Sequence, residues 1–168
     1  MVARKESESQ RTTVQKKSER EVVVTRTFDA PARLVFEAWS RPELFKKWWV
    51  PRSKGMTLRS CELDVRTGGK YRLVFGDDPA NTMTFFGKYL DVVPNQRIVW
   101  TNEESGADGS VTTVTFEETN GKTTLVMSEL YATKEALDAG AGAQEAMNET
   151  FAQLEELLGS LAATAARS

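Results

Sequence analysis

The chain has 168 residues and a formal net charge of -2, so it is long enough for one domain with its own core and carries no basic excess for a nucleic-acid backbone. It contains no histidine and a single cysteine, Cys61. Ser-His-Asp and Cys-His catalysis, the usual zinc sites and an internal disulfide are thereby excluded.

Residues 1–19 are rich in Ser, Lys, Arg, Glu and Gln and poor in large apolar groups, which predicts a disordered head, and the basic cluster of Arg11, Lys16, Lys17 and Arg20 is expected to be simply solvated. One domain is expected over residues 20–163, with a short tail at 164–168. EVVVTRTF, from Glu21 to Phe28, has the β-branched density of a strand. Pro31 then suits the first turn of a short helix with Leu34, Val35, Ala38 and Trp39 on its inner face. Ser40 and Glu43 have the spacing of a capping box over a second short helix, which carries Leu44, Phe45, Trp48 and Trp49.

From Pro51 the pattern turns to strands and hairpins. Thr57 to Val65 alternates, Gly68 and Gly69 turn the chain, and Tyr71, Leu73 and Phe75 share one face of the next strand. A long strand from Thr82 to Val93 places Phe85, Gly87 and Tyr89 together, with a bend expected at Gly87. Arg97 to Thr101 pairs back through Ile98 and Trp100. Asn120-Gly121 is a strong hairpin signal between Ser110–Glu117 and Lys122–Tyr131. Ala143, Met147, Phe151, Leu154, Leu158 and Leu161 then form one apolar stripe on a helix predicted from Gly142 to Leu161, with Glu149, Gln153, Glu155 and Glu156 on its wet face. The predicted class is α+β: a curved antiparallel sheet of about six or seven strands wrapped on a long C-terminal helix, with two short helices after the first strand.

The segments TRTFDAPARLVFEAWSRPELFKKWWVP, ELDVRTGGKYRLVFG, FFGKYLDVVPNQRIVWT and VTTVTFEETNGKTTLVMSE, in that order, resemble the START-like, SRPBCC superfamily. They are most similar to its branch named after the activator of the heat-shock-protein ATPase, a sibling of the polyketide cyclase and dehydrase branch. The resemblance runs from about Glu21 to Leu161 and implies the helix-grip fold, with an apolar cavity between the sheet and the C-terminal helix. It also implies a choice among three roles: binding of a small hydrophobic molecule, cyclase- or dehydrase-like catalysis, and a chaperone partner. Where a common pattern of the branch opens the last helix with Gly-Trp, this chain has Gly142-Ala143, and the lost indole is expected to open the pocket.

The expected cavity residues are Tyr71, Leu73, Phe75, Phe85, Tyr89 and Trp100 from the sheet, Met127 from the last strand, and Ala143, Met147 and Phe151 from the helix. The alternative is a solid core. Trp48 and Trp49 are adjacent, so they cannot both face inward: one is expected in the core and the other half-covered, as a lid or a partner patch. Glu129, in step with Met127 along its strand, is the first carboxylate to consider for acid–base work, while Asp64 and Arg66 suit an ion pair at a strand edge. Arg72 alternates with Tyr71 and Leu73 and is expected to face water. Cys61 is expected to act as a small hydrophobe. A hydrophobic ligand is the favoured partner, with no cofactor and no metal. No export signal or bilayer-length apolar run is present, so a cytoplasmic setting without membrane insertion is expected. Edge strands make a homodimer compatible with this fold.

Overall fold

The computed structural model describes residues 12–103, 109–139 and 147–167. In chain order the elements are β1 (Thr13–Lys16), β2 (Glu21–Phe28), α1 (Ala32–Ser40), α2 (Pro42–Trp48), a 3-10 turn (Arg52–Lys54), β3 (Leu58–Leu63), β4 (Lys70–Phe75), β5 (Met83–Val93), β6 (Arg97–Thr101), β7 (Val111–Thr119), β8 (Lys122–Leu130), α3 (Lys134–Ala139) and α4 (Met147–Arg167). The strands form one antiparallel sheet in the order β1-β2-β8-β7-β6-β5-β4-β3. After β2 the two short helices carry the chain to the far edge, and the meander from β3 to β8 brings it back beside β2. This is the expected helix-grip arrangement, with eight strands rather than six or seven.

Alternation sets the inner face. In β2, Val22, Val24, Arg26 and Phe28 are buried, and in β4 it is Tyr71, Leu73 and Phe75. On α4 the stripe of Phe151, Leu154 and Leu158 is buried, and Phe151 meets Phe28 edge-on at 5.6 Å. The predicted turn at Asn120-Gly121 has φ of 54° and 79°, the left-handed pair that a two-residue hairpin of this twist requires.

Four local expectations are corrected. Part of the head is a strand, because Thr13–Lys16 pairs with β2 in the register Thr13↔Thr25: backbone pairing orders a segment whose side chains bury little. Ser40 ends α1, where its hydroxyl points back at the Glu37 carbonyl, and does not cap the second helix. Arg41 is the N-cap of α2, with Pro42 in its first turn, and Glu43 pairs with Arg41 at 2.7 Å instead of closing a capping box. Unforeseen α3 packs Leu137 with Val22 and Tyr131 in a small satellite core. The last helix continues past Leu161 to Arg167, while its predicted first turns, including Gly142 and Ala143, lie outside the described residues.

Arg26 is the unexpected member of the inner face. It is buried, its Nη2 lies 3.0 Å from Glu155 Oε2 on α4, its Nη1 donates to Thr12 Oγ1 at 3.0 Å, and its guanidinium sits 5.6 Å from the Phe28 ring. A charge so placed ties the head, β2 and the last helix together.

Candidate ligand-binding cavity

The cavity is produced by uneven coverage of the sheet. Phe151 and Leu154 of α4 fill the space on one half, and Met127 of β8 is buried there in the same core. The other half, β3 to β6, is roofed by α1, α2 and the connection to β3. Short helices and a loop cannot interdigitate with a curved sheet as closely as a long helix does, and a space of about 380 Å³ remains. Its floor is Leu63 of β3, Tyr71, Leu73 and Phe75 of β4, Met83, Phe85 and Tyr89 of β5, and Ile98 and Trp100 of β6. Trp39, Phe45, Trp49, Val50, Pro51 and Met56 form the roof and rim, and Asn102 stands at the end of β6. That size and apolar lining match pockets that enclose small molecules.

The roof is an aromatic stack centred on Trp39, whose ring centroid is 4.8 Å from Trp48, 5.7 Å from Trp49 and 5.8 Å from Trp100. Trp48 is fully buried behind it and donates its indole N–H to the Ala38 carbonyl at 2.9 Å. Trp49 is half-buried, stacks on Phe45 at 4.8 Å and faces the cavity. The pair therefore divides as expected, one indole in the core and its neighbour partly covered.

The polar groups lie at one end. Tyr71 Oη lies 2.8 Å from the Thr101 carbonyl and 3.1 Å from Asn102 Oδ1, both acceptors. Asn102 also accepts from Trp100 Nε1 and donates to Ser110 and Thr112. This approach depends on Gly87, which pairs with Tyr71 across β4 and β5: a Cβ there would lie 1.9 Å from the Thr101 carbonyl oxygen. The expected bend at Gly87 is thus a close contact between strands. Burial, far more than the nearby Cys61 and Asp64, raises the Tyr89 phenol well above its ordinary range, so the hydroxyl stays protonated.

Of the residues expected around the cavity, Tyr71, Leu73, Phe75, Phe85, Tyr89 and Trp100 line it. Met127 and Phe151 are packed into the solid core, Met147 packs partly buried against it, and Ala143 lies outside the described residues. The space thus sits below the short helices rather than below the last one. Glu129 is absent from its lining and accepts a hydrogen bond from Ser110 Oγ at 2.6 Å. Asp64 and Arg66 form the expected ion pair at 3.0 Å, exposed at the turn after β3, and Arg72 faces solvent. Cys61 is half-buried, and burial pushes its thiol up to about 11, which leaves an unreactive neutral sulfur. Of the residues missed in sequence, Phe45, Val50, Pro51, Met56, Leu63, Met83 and Ile98 carry no local signal beyond apolarity, and Asn102 looks like an ordinary loop polar residue. Trp39 was legible only as part of a helix's inner face.

The last helix acts on the cavity at second hand. Gln153, on the face read as wet, is buried, and its Nε2 donates to the carbonyls of Trp48 at 3.0 Å and Val50 at 2.9 Å while its Oε1 accepts from the Arg52 N–H at 2.8 Å. One turn earlier Glu149 accepts from the Ser53 N–H at 3.0 Å and from the Ser53 hydroxyl. Arg52 pairs with Glu156 at 3.0 Å. Three side chains on one helix face thereby hold the backbone that carries Trp49, Val50 and Pro51.

Among the described residues there is no group of His, Cys, Asp and Glu able to hold a metal ion, and no helix long and apolar enough to cross a membrane. Comparison with known proteins agrees with the fold. A protein of Rhodobacter sphaeroides matches with a TM-score of 0.81 at 24% identity, over 89% of this chain and 99% of its own. Proteins of Nitrosomonas europaea (TM-score 0.76, 28% identity, 88% and 99% covered) and Staphylococcus epidermidis (TM-score 0.75, 28% identity, 88% and 94% covered) are similar in the same way. No curated protein matches. The model of one family, described as activator of Hsp90 ATPase homolog 1-like protein, matches residues 29–159, from the end of β2 to the last helix, and the chain belongs to that family.

Proposed function

We propose that this protein is a binding module that encloses a small, mainly apolar molecule between β3–β6 and the α1–α2 roof. The observation that carries this reading is the cavity of about 380 Å³ with aromatic and aliphatic walls. A space of that size is costly to leave unfilled in a core of ordinary packing density, since its lining forgoes dispersion contacts. Binding is favoured over catalysis because the described lining offers only phenols, indoles and one amide as polar groups, and Tyr89 is held in its neutral form. A partner surface at the Trp48 and Trp49 corner is less favoured, because neither indole is exposed.

Leu73→Trp tests the reading. It places an indole on the cavity floor, and titration with Nile red, an uncharged dye that brightens in apolar surroundings, should show uptake by the parent protein and none by the variant. Uptake by a variant with an unchanged circular dichroism spectrum would place the site elsewhere.

A further inference from the structure

The cavity's polar groups are of one kind. None of its described lining residues is Asp, Glu, Lys or Arg, and its most exposed apolar members, Met56 and Met83 at 40% and 52%, carry no charge either. Asn102 is already satisfied on both sides of its amide by Tyr71, Trp100, Ser110 and Thr112. Two buried donors are left. Tyr89, 6% exposed, makes no side-chain hydrogen bond among the described residues, and Trp39, 3% exposed, keeps its indole N–H buried without a partner. Tyr89 belongs to the floor, beside Trp100 across β5 and β6, whereas the Trp39 N–H is shielded within the roof, 5.8 Å from Trp100 ring to ring, so the phenol is the donor that a ligand can meet. Buried donors of this kind are normally bonded, and an uncompensated carboxylate is excluded from an apolar space far more strongly than a carbonyl is.

We propose, resting on the binding reading above, that the cavity selects an uncharged ligand with a carbonyl-type oxygen that accepts the Tyr89 hydroxyl, and rejects anions of the same shape. The neutral phenol suits this role, because it remains a donor throughout the physiological range. A fatty-acid-like carboxylate would find no cation among the lining residues described.

Three probes of nearly one shape separate the terms: 2-acetylnaphthalene (neutral acceptor), 2-naphthoate (anion) and 2-ethylnaphthalene (no acceptor), titrated calorimetrically at pH 8. The ketone should bind about tenfold more tightly than the hydrocarbon and at least about tenfold more tightly than the carboxylate. Tyr89→Phe should bring the ketone down to the level of the hydrocarbon and leave the hydrocarbon within about twofold of its parent affinity. Carboxylate binding equal to that of the ketone, or an unchanged ketone-to-hydrocarbon ratio in Tyr89→Phe, overturns the charge selection while the cavity reading stands. Failure of both neutral probes to bind overturns the cavity reading and this inference with it.

Discussion

Gln153 on the last helix donates its side-chain amide to the main-chain carbonyl of Trp48, 3.0 Å away at the end of the second short helix. The same side chain serves Val50 and Arg52, so three backbone groups at a change of chain direction depend on one buried amide. Gln153→Ala would strand those groups at about 1–3 kcal/mol for each one that water cannot reach. The expected result is a stability loss of about 2–4 kcal/mol in urea unfolding, with faster hydrogen exchange at the Arg52 amide than at amides of β7. Gln153→Glu should do no better, because a carboxylate accepts from Arg52 but cannot donate to two carbonyls. Unchanged exchange at Arg52 would mean that the loop holds itself.

The Arg26–Glu155 contact makes a different prediction, since taking one partner out of a buried ion pair costs more than replacing the pair. Glu155→Ala should cost about 3 kcal/mol. Adding Arg26→Met, which keeps an unbranched apolar stem in the inner face of β2, should restore most of that loss. If the double variant proves less stable than Glu155→Ala alone, the arginine is held by its other contacts, and the charge pair matters little.

Gly87→Ala probes the strand crossing at the polar end of the cavity. The new methyl group would meet the Thr101 carbonyl, which also accepts from Tyr71. Strands β5 and β6 must separate there, at a cost of about 2 kcal/mol, which lowers the Tm by roughly 4–8 °C in a chain of this size. Calorimetry reads the shift directly, and an unmoved Tm would show that the strands yield freely at this point.

Alkaline pH should find Cys61. In the folded chain its thiol keeps its proton to about 11, against an ordinary value of 9.0, mainly because burial penalises the thiolate. Ionisation therefore favours the unfolded chain: the thiol's contribution is intact below pH 9.0 and is lost as the pH rises through about 11. Tyr89 acts in the same direction. Cys61→Ala should flatten part of the fall in Tm across that window, and iodoacetamide should label the native parent at pH 8 far more slowly than the unfolded chain. Equal labelling rates would contradict the assigned burial.

What the sequence disclosed follows from the range of the interactions involved. Asn120-Gly121 and the alternation of Tyr71, Leu73 and Phe75 are local, so their turn and strand were legible, and the ordered segments that resemble the family carried the sheet and last helix with them. The strand at Thr13–Lys16 was not, because it is stabilised by the edge of β2 rather than by its own composition. Gln153 and Arg26 look like wet-face residues until a distant backbone or carboxylate is brought to them. The cavity was expected beside Phe151, yet the volumes of Phe151 and Leu154 fill that half of the sheet, and it is the smaller reach of α1 and α2 that leaves room. Which of two apolar surfaces fails to close is a matter of shape, and alternation along a strand does not encode it.

The aromatic roof has an optical consequence. Three of the chain's four tryptophans form it and the fourth, Trp100, packs against it from the floor, so that Trp39 has the other three ring centroids within 5.8 Å. Excitation absorbed by any one of them is shared at such separations, so the ultraviolet emission of the whole protein comes from a patch a few ångströms from the cavity, and no indole elsewhere dilutes it. A molecule that enters announces itself in the colour and intensity of that light, with no label attached.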